Sequence, residues 1–299
     1  MKALQFSAYG GPEVLTVGDA PEPHAGPGQV RVQVRAAGLN PLDWKLRAGY
    51  LSQGAPLEGP GRTGFEAAGV VDEVGEGVTG TAIGDDVFGL GNATHAELAV
   101  LDAWAAKPAS VDWAVAAGAG VAVETAIRGL DLLGVGRGST VLVDGGAGGV
   151  GAVAVQIAVS RGATVVASAG EANQGYLTEI GALPVLYGEG LAERVRAVAP
   201  QGLDAVLDVA GKTPPTTLAS MVADPAQALT IAQFDLGDSG IRLTTGGEID
   251  RAAALAEGAR LLQSNDLVVK VQTFPLERAR EAVEISESGH VRGKLVLLP

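Results

Sequence analysis

A glycine-rich run in the middle of the chain has the spacing best suited to chemistry. Gly146, Gly148 and Gly151 satisfy the pattern G-x-G-x-x-G. The run follows the apolar residues 141–143 and leads into a helix-like sequence from Gly149, which predicts a strand, a tight turn and a helix. Such a turn lets the backbone approach a pyrophosphate, whose charge the helix N-terminus stabilises. The alternative is a turn that only packs a helix on a strand. The pattern predicts that Gly146 and Gly148 lie at the phosphates.

The end of the next predicted strand bears on which dinucleotide would bind. A ribose with a free 2′-hydroxyl normally meets an Asp or Glu there, but residues 168–170 are Ser, Ala and Gly. The sequence therefore favours NADP(H) over NAD(H), although Glu171 leaves dual use open. No Arg or Lys lies between residues 162 and 193, so a 2′-phosphate would depend on neutral donors and helix dipoles. The predicted contacts, whose alternative is an ordinary surface position, are Ser168, Ala169, Asn173 and Tyr187.

Two hydrophobic patterns indicate the elements that position these residues. Up to about residue 110, short apolar stretches between turn residues predict strands, and residues 29–35 alternate strictly. From about residue 112, short apolar strands alternate with helix-length segments, which predicts a parallel sheet covered by helices. Residues 293–298 form a last predicted strand. We therefore predict an α/β protein with a β-rich domain over 1–111, completed by 265–299, and a doubly wound parallel-sheet domain over 112–264.

The composition argues against several classes of function. The 299 residues include 21 Lys and Arg against 34 Asp and Glu, a formal net charge of −13. This charge disfavours binding to nucleic acid or to an anionic membrane through a basic surface. There is no Cys and there are only three widely spaced His, so no local metal-binding motif is present. Because no signal peptide or bilayer-length apolar stretch is evident, we expect a soluble, cytoplasmic protein that binds no metal.

Several separated motifs resemble those of one family. They are YGGPEVL at 9–15, AGLNPLDWK at 37–45, GDDVFG at 84–89, the glycine run, and GHVRGK at 289–294. In this order they resemble the zinc-independent medium-chain dehydrogenases/reductases of the quinone oxidoreductase, or zeta-crystallin-like, group. The resemblance covers nearly the whole chain. It implies a GroES-like catalytic domain, a Rossmann-type cofactor domain and a C-terminal return to the first domain.

The resemblance also implies roles for individual residues. Asn40 matches an asparagine near the nicotinamide and its ribose, and Lys45 occupies a nearby position; these two are the predicted catalytic residues. The alternative for Asn40 is a turn residue before a proline. Thr125 matches a threonine that contacts the cofactor, and Tyr187 matches a tyrosine beside the adenosine phosphate. The resemblance also implies that the phosphate-binding turn is formed by Ala147, Gly148, Gly149 and Val150. The residues implied on the nicotinamide side are Ala210 to Gly211 and Ile231 to Phe234.

A few residues depart from the family pattern. Zinc-dependent members of the superfamily carry a Gly-His-Glu motif, but Phe65 replaces its histidine here. Glu66 is then expected to be a structural residue or a polar wall. Glu124 and Asp144 add negative charge near the expected cofactor site, which would weaken cofactor binding. His95 stands where relatives often have an aromatic residue, and we favour a structural role over proton donation.

The expected chemistry is hydride transfer from NADPH to an electron-poor acceptor, since no metal or acid–base pair is evident. A quinone fits because its reduced oxygen can take a proton from water. One alternative is an alkenal or enone double-bond reductase, whose enolate needs a donor such as Asn40 or the cofactor ribose. Another is a non-catalytic NADP(H)-binding redox sensor; a zinc alcohol dehydrogenase is disfavoured by its missing ligands. The resemblance implies a homodimer through an edge strand, with residues 226–231 and 241–244 as candidates.

Overall fold

The computed structural model of the chain describes residues 1–50, 52, 54–289 and 291–299. His290, which belongs to the motif at 289–294, therefore lies outside the described part of the chain. The described residues form two compact units. The first unit comprises Met1–Val121, Arg251–Ser264 and Val269–Pro299, and the second unit comprises Ala122–Asp250 and Asn265–Val268.

The first part of the chain consists mainly of strands, and the second part contains both strands and helices. The strands are β1 (Lys2–Phe6), β2 (Leu15–Asp19), β3 (Val30–Leu39), β4 (Gly61–Arg62), β5 (Glu66–Val74), β6 (Asp86–Asn92), β7 (Leu98–Ala106), β8 (Thr140–Asp144), β9 (Thr164–Ala169), β10 (Leu183–Leu186), β11 (Ala205–Asp208), β12 (Ala228–Thr230), β13 (Arg242–Leu243), β14 (Val271–Pro275) and β15 (Lys294–Leu298). The α-helices are α1 (Pro41–Arg47), α2 (Trp113–Leu132), α3 (Gly149–Ser160), α4 (Gln174–Glu179), α5 (Leu191–Val198), α6 (Pro215–Ala219), α7 (Arg251–Ser264) and α8 (Ala279–Glu287). None of these described helices is long and apolar enough to cross a membrane.

The first unit is built mainly on antiparallel pairing. Its six-stranded sheet has the order β14-β15-β3-β5-β6-β7, with an additional pairing between β3 and β7. β1 pairs with β2 and β4 in a three-stranded sheet. Within β3, Val30, Val32 and Val34 are buried, as the strict alternation predicts. The predicted return of the last strand to the first unit is confirmed, because β15 pairs antiparallel with β3.

The second unit is a parallel sheet with helices between its strands. Neighbouring strands pair in parallel in the order β10-β9-β8-β11-β12-β13. Counted along the unit this is 3-2-1-4-5-6, the doubly wound order in which ligands bind beyond the carboxyl ends of the strands, where the order reverses. The reversal falls between β8 and β11. The predicted α/β class with a Rossmann-type sheet is confirmed.

The division into units differs from the predicted domain boundary. The prediction separates residues 111 and 112 and places all of 112–264 in the second domain. By contacts, the first unit extends to Val121 and includes α7, which packs along β7. Hydrophobic periodicity shows where a helix begins, but it does not show against which sheet the helix packs.

Each unit has an apolar core of its own. In the second unit, Leu142, Val166 and Val206 come from the adjacent strands β8, β9 and β11 and pack in one cluster. In the first unit, Val32 and Val71 pack together from β3 and β5. Full burial of each such side chain contributes about 1.5–3 kcal/mol, so each sheet is a rigid support for the loops at its edges.

Candidate functional site

The glycine run forms the turn between β8 and α3. Asp144 ends β8, and Gly145 adopts a φ of 95°, a conformation that favours glycine. α3 begins at Gly149, and its N-cap residue, Gly148, makes no side-chain cap hydrogen bond. The first turn of the helix is therefore not capped by a side chain, as at helix N-termini that bind phosphate. The strand, turn and helix predicted from the sequence are confirmed.

The three glycines of the pattern have different surroundings. A Cβ on Gly146 would lie 2.7 Å from the Cβ of Ala167 on β9. A Cβ on Gly151 would collide with the carbonyl oxygen of Gly145. On Gly148, the nearest atom to a Cβ would be that same carbonyl oxygen, 3.6 Å away. Gly146 and Gly151 therefore permit close packing of the turn, whereas Gly148 leaves room for a phosphate to approach the backbone.

Ser168, on β9, is hydrogen-bonded to the glycine turn. Its Oγ accepts a hydrogen bond from the amide of Gly145 at 3.0 Å and donates one to Oδ1 of Asp144. Its carbonyl oxygen accepts from the amide of Gly146 at 2.9 Å. Ser168 has no exposed surface, so its predicted contact with a cofactor phosphate is corrected. The hydroxyl hydrogen of Ser168 is donated to Asp144, so Ser168 stabilises the turn from its buried side.

Asp144 is buried beneath the same turn. Its Oδ1 accepts a hydrogen bond from the Ser168 hydroxyl. Burial raises the pKa of the Asp144 carboxyl, hydrogen bonds from the hydroxyls of Ser168 and Thr213 oppose that rise, and the neighbouring Asp208 adds to it. The raised pKa makes this carboxyl easier to protonate than an exposed aspartate.

The loops after β11 and β12 lie beside the glycine turn. Asp208, the last residue of β11, accepts from the amide of Ala210 at 3.0 Å, and its carbonyl accepts from the amide of Ile231 at 3.0 Å. A Cβ on Gly145 would lie 2.8 Å from the Cβ of Ala210. Phe234, further along the loop after β12, is 61% exposed. The structure therefore brings the residues predicted for the nicotinamide side to the carboxyl edge that also carries the turn.

Tyr187 lines the end of β9. A Cβ on Gly170 would lie 3.4 Å from the Tyr187 ring, and Tyr187 is 52% exposed. Asn173 is half-buried, and its amide donates to the carbonyl of Gly170 at 3.0 Å. Ala169 is 6% exposed and its carbonyl accepts from the amide of Tyr187 at 3.3 Å. Tyr187 and Asn173 thus flank the end of β9, where doubly wound folds contact the ribose 2′-substituent of a dinucleotide, and Ala169 forms the last residue of that strand.

Arg194 is a cationic residue near this strand end, and the sequence reasoning missed it. From α5, its Nε donates to the carbonyl of Leu186 at 2.9 Å, and its Nη2 donates to the carbonyls of Tyr187 at 3.3 Å and Glu189 at 2.8 Å. The guanidinium therefore lies in the turn that follows β10. Arg194 directly follows the segment 162–193, which has no Arg or Lys. The feature that could have indicated it is the helix that begins directly after the turn.

Thr125 belongs to a buried ion-pair network on α2. Glu124 Oε1 accepts from Nε of Arg128 at 2.9 Å, and Nη1 of Arg128 donates to the hydroxyl of Thr244 at 2.5 Å. The Thr125 hydroxyl donates to Glu124 Oε2 at 3.2 Å, and the residue is 7% exposed. The charge of Glu124, which was expected to weaken cofactor binding, is therefore matched by Arg128 one helical turn away.

In the first unit, Asn40 belongs to a second buried group of polar side chains, here called the Asn40 cluster and formed by Asn40, Glu66 and Lys294. Asn40 Nδ2 donates to Glu66 Oε1 at 2.8 Å, and Asn40 Oδ1 accepts from Lys294 Nζ at 2.5 Å. Lys294 also pairs with Glu66 Oε1 at 2.6 Å, and the amide of Val121 donates to Oε2 at 2.6 Å. None of the three side chains is more than 5% exposed. The sequence reasoning missed Lys294, because 254 residues separate it from Asn40.

The backbone of Asn40 is fixed by Asp43 on α1. The Asp43 carboxylate accepts from the amides of Asn40 at 2.7 Å and Gly64 at 2.6 Å. Burial raises the pKa of the Asp43 carboxyl, and the charge of His95 opposes that rise. Lys45, the other predicted catalytic residue, is half-buried with its Nζ 5.8 Å from the centre of the Trp44 ring. Its ammonium group takes no part in the hydrogen bonds of the Asn40 cluster.

His95 is held on both sides of its ring. Its Nδ1 lies 2.9 Å from the Thr63 hydroxyl and its Nε2 lies 3.0 Å from the carbonyl oxygen of Gly38. Because a carbonyl can only accept, Nε2 carries the hydrogen of this bond. The residue is 1% exposed, so the geometry is that of a structural histidine.

Comparison with known proteins gives matches over both parts of the chain. The model of the alcohol dehydrogenase GroES-like domain matches residues 26–128, and that of zinc-binding dehydrogenases matches residues 180–297. An NADPH-dependent alkenal/one oxidoreductase of Arabidopsis thaliana is 30% identical, with 100% of this chain and 80% of that protein covered. The quinone oxidoreductase of Coxiella burnetii has a TM-score of 0.86 at 29% identity, with 100% and 99% covered. A mycobacterial protein solved with NADPH has a TM-score of 0.86 at 30% identity, with both chains fully covered.

A GroES-like unit together with a doubly wound parallel sheet defines the two-domain dehydrogenases and reductases. The chain belongs to the medium-chain dehydrogenase/reductase family, in the group that contains the quinone oxidoreductases and alkenal/one oxidoreductases. Although one matching model is named for zinc binding, the described residues contain no group of three or more His, Cys, Asp or Glu that could hold a metal ion.

Proposed function

We propose that the chain is an NADPH-dependent reductase that transfers hydride directly to a quinone or a similar electron-poor acceptor. The observation that carries this proposal is the uncapped turn between β8 and α3, open at Gly148 and placed where the strand order reverses. The bound cofactor would supply the hydride. The residues of the chain bind and orient it: Gly146, Ala147, Gly148, Gly149 and Val150 at the phosphates, and Ala210, Ile231 and Phe234 on the nicotinamide side.

The preference for NADPH over NADH is proposed to depend on the end of β9. No acidic residue occupies positions 168–170, where it would repel a 2′-phosphate. Tyr187 and Asn173 offer neutral donors, and Arg194 adds a positive charge. The bonds of Arg194 to the turn use Nε and Nη2, which leaves Nη1 for the phosphate. The names of the Arabidopsis relative and of the mycobacterial complex support the same cofactor.

The acceptor is proposed to be oriented by Asn40, whose carboxamide can hydrogen-bond to a carbonyl or quinone oxygen. No metal is included in the proposal, because Phe65 replaces the ligand histidine of zinc enzymes and the chain has no Cys. A quinone needs no protein acid after hydride transfer. An alkenal or enone is the second candidate, and the name of the Arabidopsis relative favours it.

The test is the loss of reduced-nicotinamide absorbance with NADPH, and separately NADH, in the presence of a simple quinone, a linear enone or a primary alcohol. Quinone-dependent oxidation that prefers NADPH and is unchanged after chelation supports the proposal. Turnover of the enone alone assigns the double-bond reductase. Tight NADPH binding without oxidation by any acceptor contradicts a reductase and favours a redox sensor.

We also propose that the chain forms a homodimer through an edge of the second unit's sheet. β13 is one edge of that sheet and β10 is the other. β10 contains Pro184, and proline blunts an edge because it lacks an amide donor. The other candidate segment, 226–231, is not an edge, because it contains β12, which lies between β11 and β13. The edge at β13, within the predicted candidate segment 241–244, is therefore the favoured interface. A cytoplasmic location stays a prediction of the sequence.

A further inference from the structure

The Asn40 cluster joins three distant parts of the first unit. Asn40 follows β3, Glu66 begins β5 and Lys294 begins β15. Removing a carboxylate and an ammonium group from water is costly, and apolar side chains of similar size often stabilise a core as well or better. A buried charged group whose members hydrogen-bond to one another therefore calls for an explanation beyond stability.

The backbone around the Asn40 cluster is shaped to enclose it. A Cβ on Gly38 would collide with the Glu66 carboxylate, and a Cβ on Gly120 would lie 3.2 Å from Glu66 Oε2. A Cβ on Gly118 would lie 3.3 Å from Cβ of Lys294. The amide of Val121 completes the contacts of the carboxylate. The two charged groups thus have a fixed place, from which they cannot shift without moving the backbone.

The charges also determine which way the Asn40 carboxamide points. Its oxygen faces the ammonium group of Lys294 and its nitrogen faces the carboxylate of Glu66. A rotation by half a turn would place NH₂ against an ammonium group and oxygen against a carboxylate. One hydrogen on Nδ2 and one lone pair on Oδ1 then stay available in a defined direction.

We infer that Lys294 and Glu66 are positioning residues that hold the carboxamide of Asn40 in the single orientation needed by the reacting molecule. The inference rests on the proposed function, in which Asn40 contacts the acceptor or the cofactor. Lys294 and Glu66 act through Asn40, so their effect on turnover requires the amide to be present.

A double-mutant cycle tests this dependence. Lys294→Met should lower kcat for the best acceptor by about 10- to 100-fold, the usual effect of losing an orienting partner, with a smaller change in KM. In an Asn40→Ala background the same substitution should have little further effect. Lys294→Arg, which keeps the charge, should recover part of the rate. The matched control is Lys2→Met, because Lys2 is an exposed lysine paired only with Asp19 in the described contacts of its ammonium group.

Additive losses in the two backgrounds would overturn the inference, because Lys294 would then act without Asn40. Glu66→Gln keeps the shape of the side chain. It replaces Lys294→Met in this test if circular dichroism shows that Lys294→Met does not fold. It should show the same dependence on Asn40, and independence would again overturn the inference.

A measurement without turnover separates this inference from the proposed function. The chain has four asparagines, at 40, 92, 173 and 265, so labelling with ¹⁵N-asparagine gives four side-chain amide pairs. The pair lost in Asn40→Ala should shift in Glu66→Gln and Lys294→Met and stay unchanged in Lys2→Met. An unchanged Asn40 pair in both cluster variants contradicts the positioning role, even where no acceptor is reduced. Absence of turnover together with the expected shifts contradicts the reductase alone.

Discussion

Arg194 binds carbonyls of the turn after β10 through Nε and Nη2, and the hydrogen bonds described for that turn do not use Nη1. Replacing it with Met should weaken NADPH binding by about tenfold, since a charge-assisted hydrogen bond contributes about 1.5 kcal/mol. NADH, which lacks the phosphate, should bind almost as before. Fluorescence titration of each reduced cofactor measures both constants.

The control for this substitution lies on the same helix. Arg196 is exposed on α5, and Arg196→Met removes the same charge from the net total without touching the turn. Equal losses of NADPH affinity in both variants would show a general effect of charge. Equal losses for NADPH and NADH in Arg194→Met would show that the residue only supports the turn.

Asp144 should make stability depend on pH in a defined direction. The carboxyl of an unfolded chain titrates near about pH 3.9, and burial raises the pKa of Asp144 in the folded protein. Between these two values the folded state keeps a proton that the unfolded state releases, so stability falls as pH rises. The free energy of unfolding of Asp144→Asn, minus that of the wild type, should therefore increase as the pH rises above about 4 and level off once the folded carboxyl ionises, with a slope of at most about 1.4 kcal/mol per pH unit.

Urea unfolding at several pH values measures that difference. Asp238→Asn, at an exposed position of the second unit, is the matched control and should give a difference that hardly changes over the same range. A difference that is constant or decreasing for Asp144→Asn would show that its carboxyl is ionised in the folded protein throughout.

Individual residues were predictable where a local pattern determines them. The glycine turn could be predicted because its glycine spacing, the apolar strand before it and the helix-like sequence after it all lie in one continuous segment. Ser168 was assigned to the ligand by its position, but only the structure shows that its hydroxyl is used by Asp144. Lys294 carries no local signal, since its partners are set by the pairing of β15 with β3. Arg194 carries only a weak one, the helix-like sequence that begins directly after its turn.

In the element formed by β8, the glycine turn and α3, glycine is needed for packing at one position and for cofactor access at another. Gly151→Ala should lower the free energy of unfolding by about 1–3 kcal/mol, because the added methyl group is forced against the Gly145 carbonyl. Gly148→Ala should leave stability nearly unchanged, because space is open there and the φ of Gly148 is −74°. It should instead weaken binding of both NADPH and NADH, since the methyl group occupies the approach of the phosphates.

Thermal unfolding and cofactor titration of the two variants provide the comparison, and each variant is the control for the other. Loss of stability in Gly148→Ala, or full cofactor affinity in it, would contradict the proposed phosphate approach. At the level of elements the sequence was informative, since the alternation in β3 and the short apolar strands of the parallel sheet were recognisable. Assigning α7 to a unit was not possible from periodicity, because the helix packs on β7, far away in the sequence.

At the scale of the whole molecule, the edge at β13 should determine the oligomeric state. The amide of Thr244 donates to Thr230 on β12, so in a parallel pair the amide of Leu243 points to the open edge. Leu243→Pro removes that donor and should convert a dimer into a monomer, whereas Leu243→Ala keeps it and should remain a dimer.

Sedimentation velocity at micromolar concentration distinguishes the two states, since the dimer has twice the 30.0 kDa of one chain. A wild-type monomer, or a dimeric Leu243→Pro variant, would contradict an interface through this edge. Circular dichroism of the proline variant confirms that the sheet itself has formed.

The distance along the chain between Glu66 and Lys294 has a consequence during protein synthesis. The two residues are 228 positions apart, so a ribosome makes Glu66 long before it makes the cation that pairs with it. A nascent first unit would have to bury a carboxylate with no ammonium group beside it, which opposes early closure of its sheet. We therefore expect a chain that stops before β15 to keep the sheet of its first unit open and sensitive to proteases, because Glu66 would lack its partner.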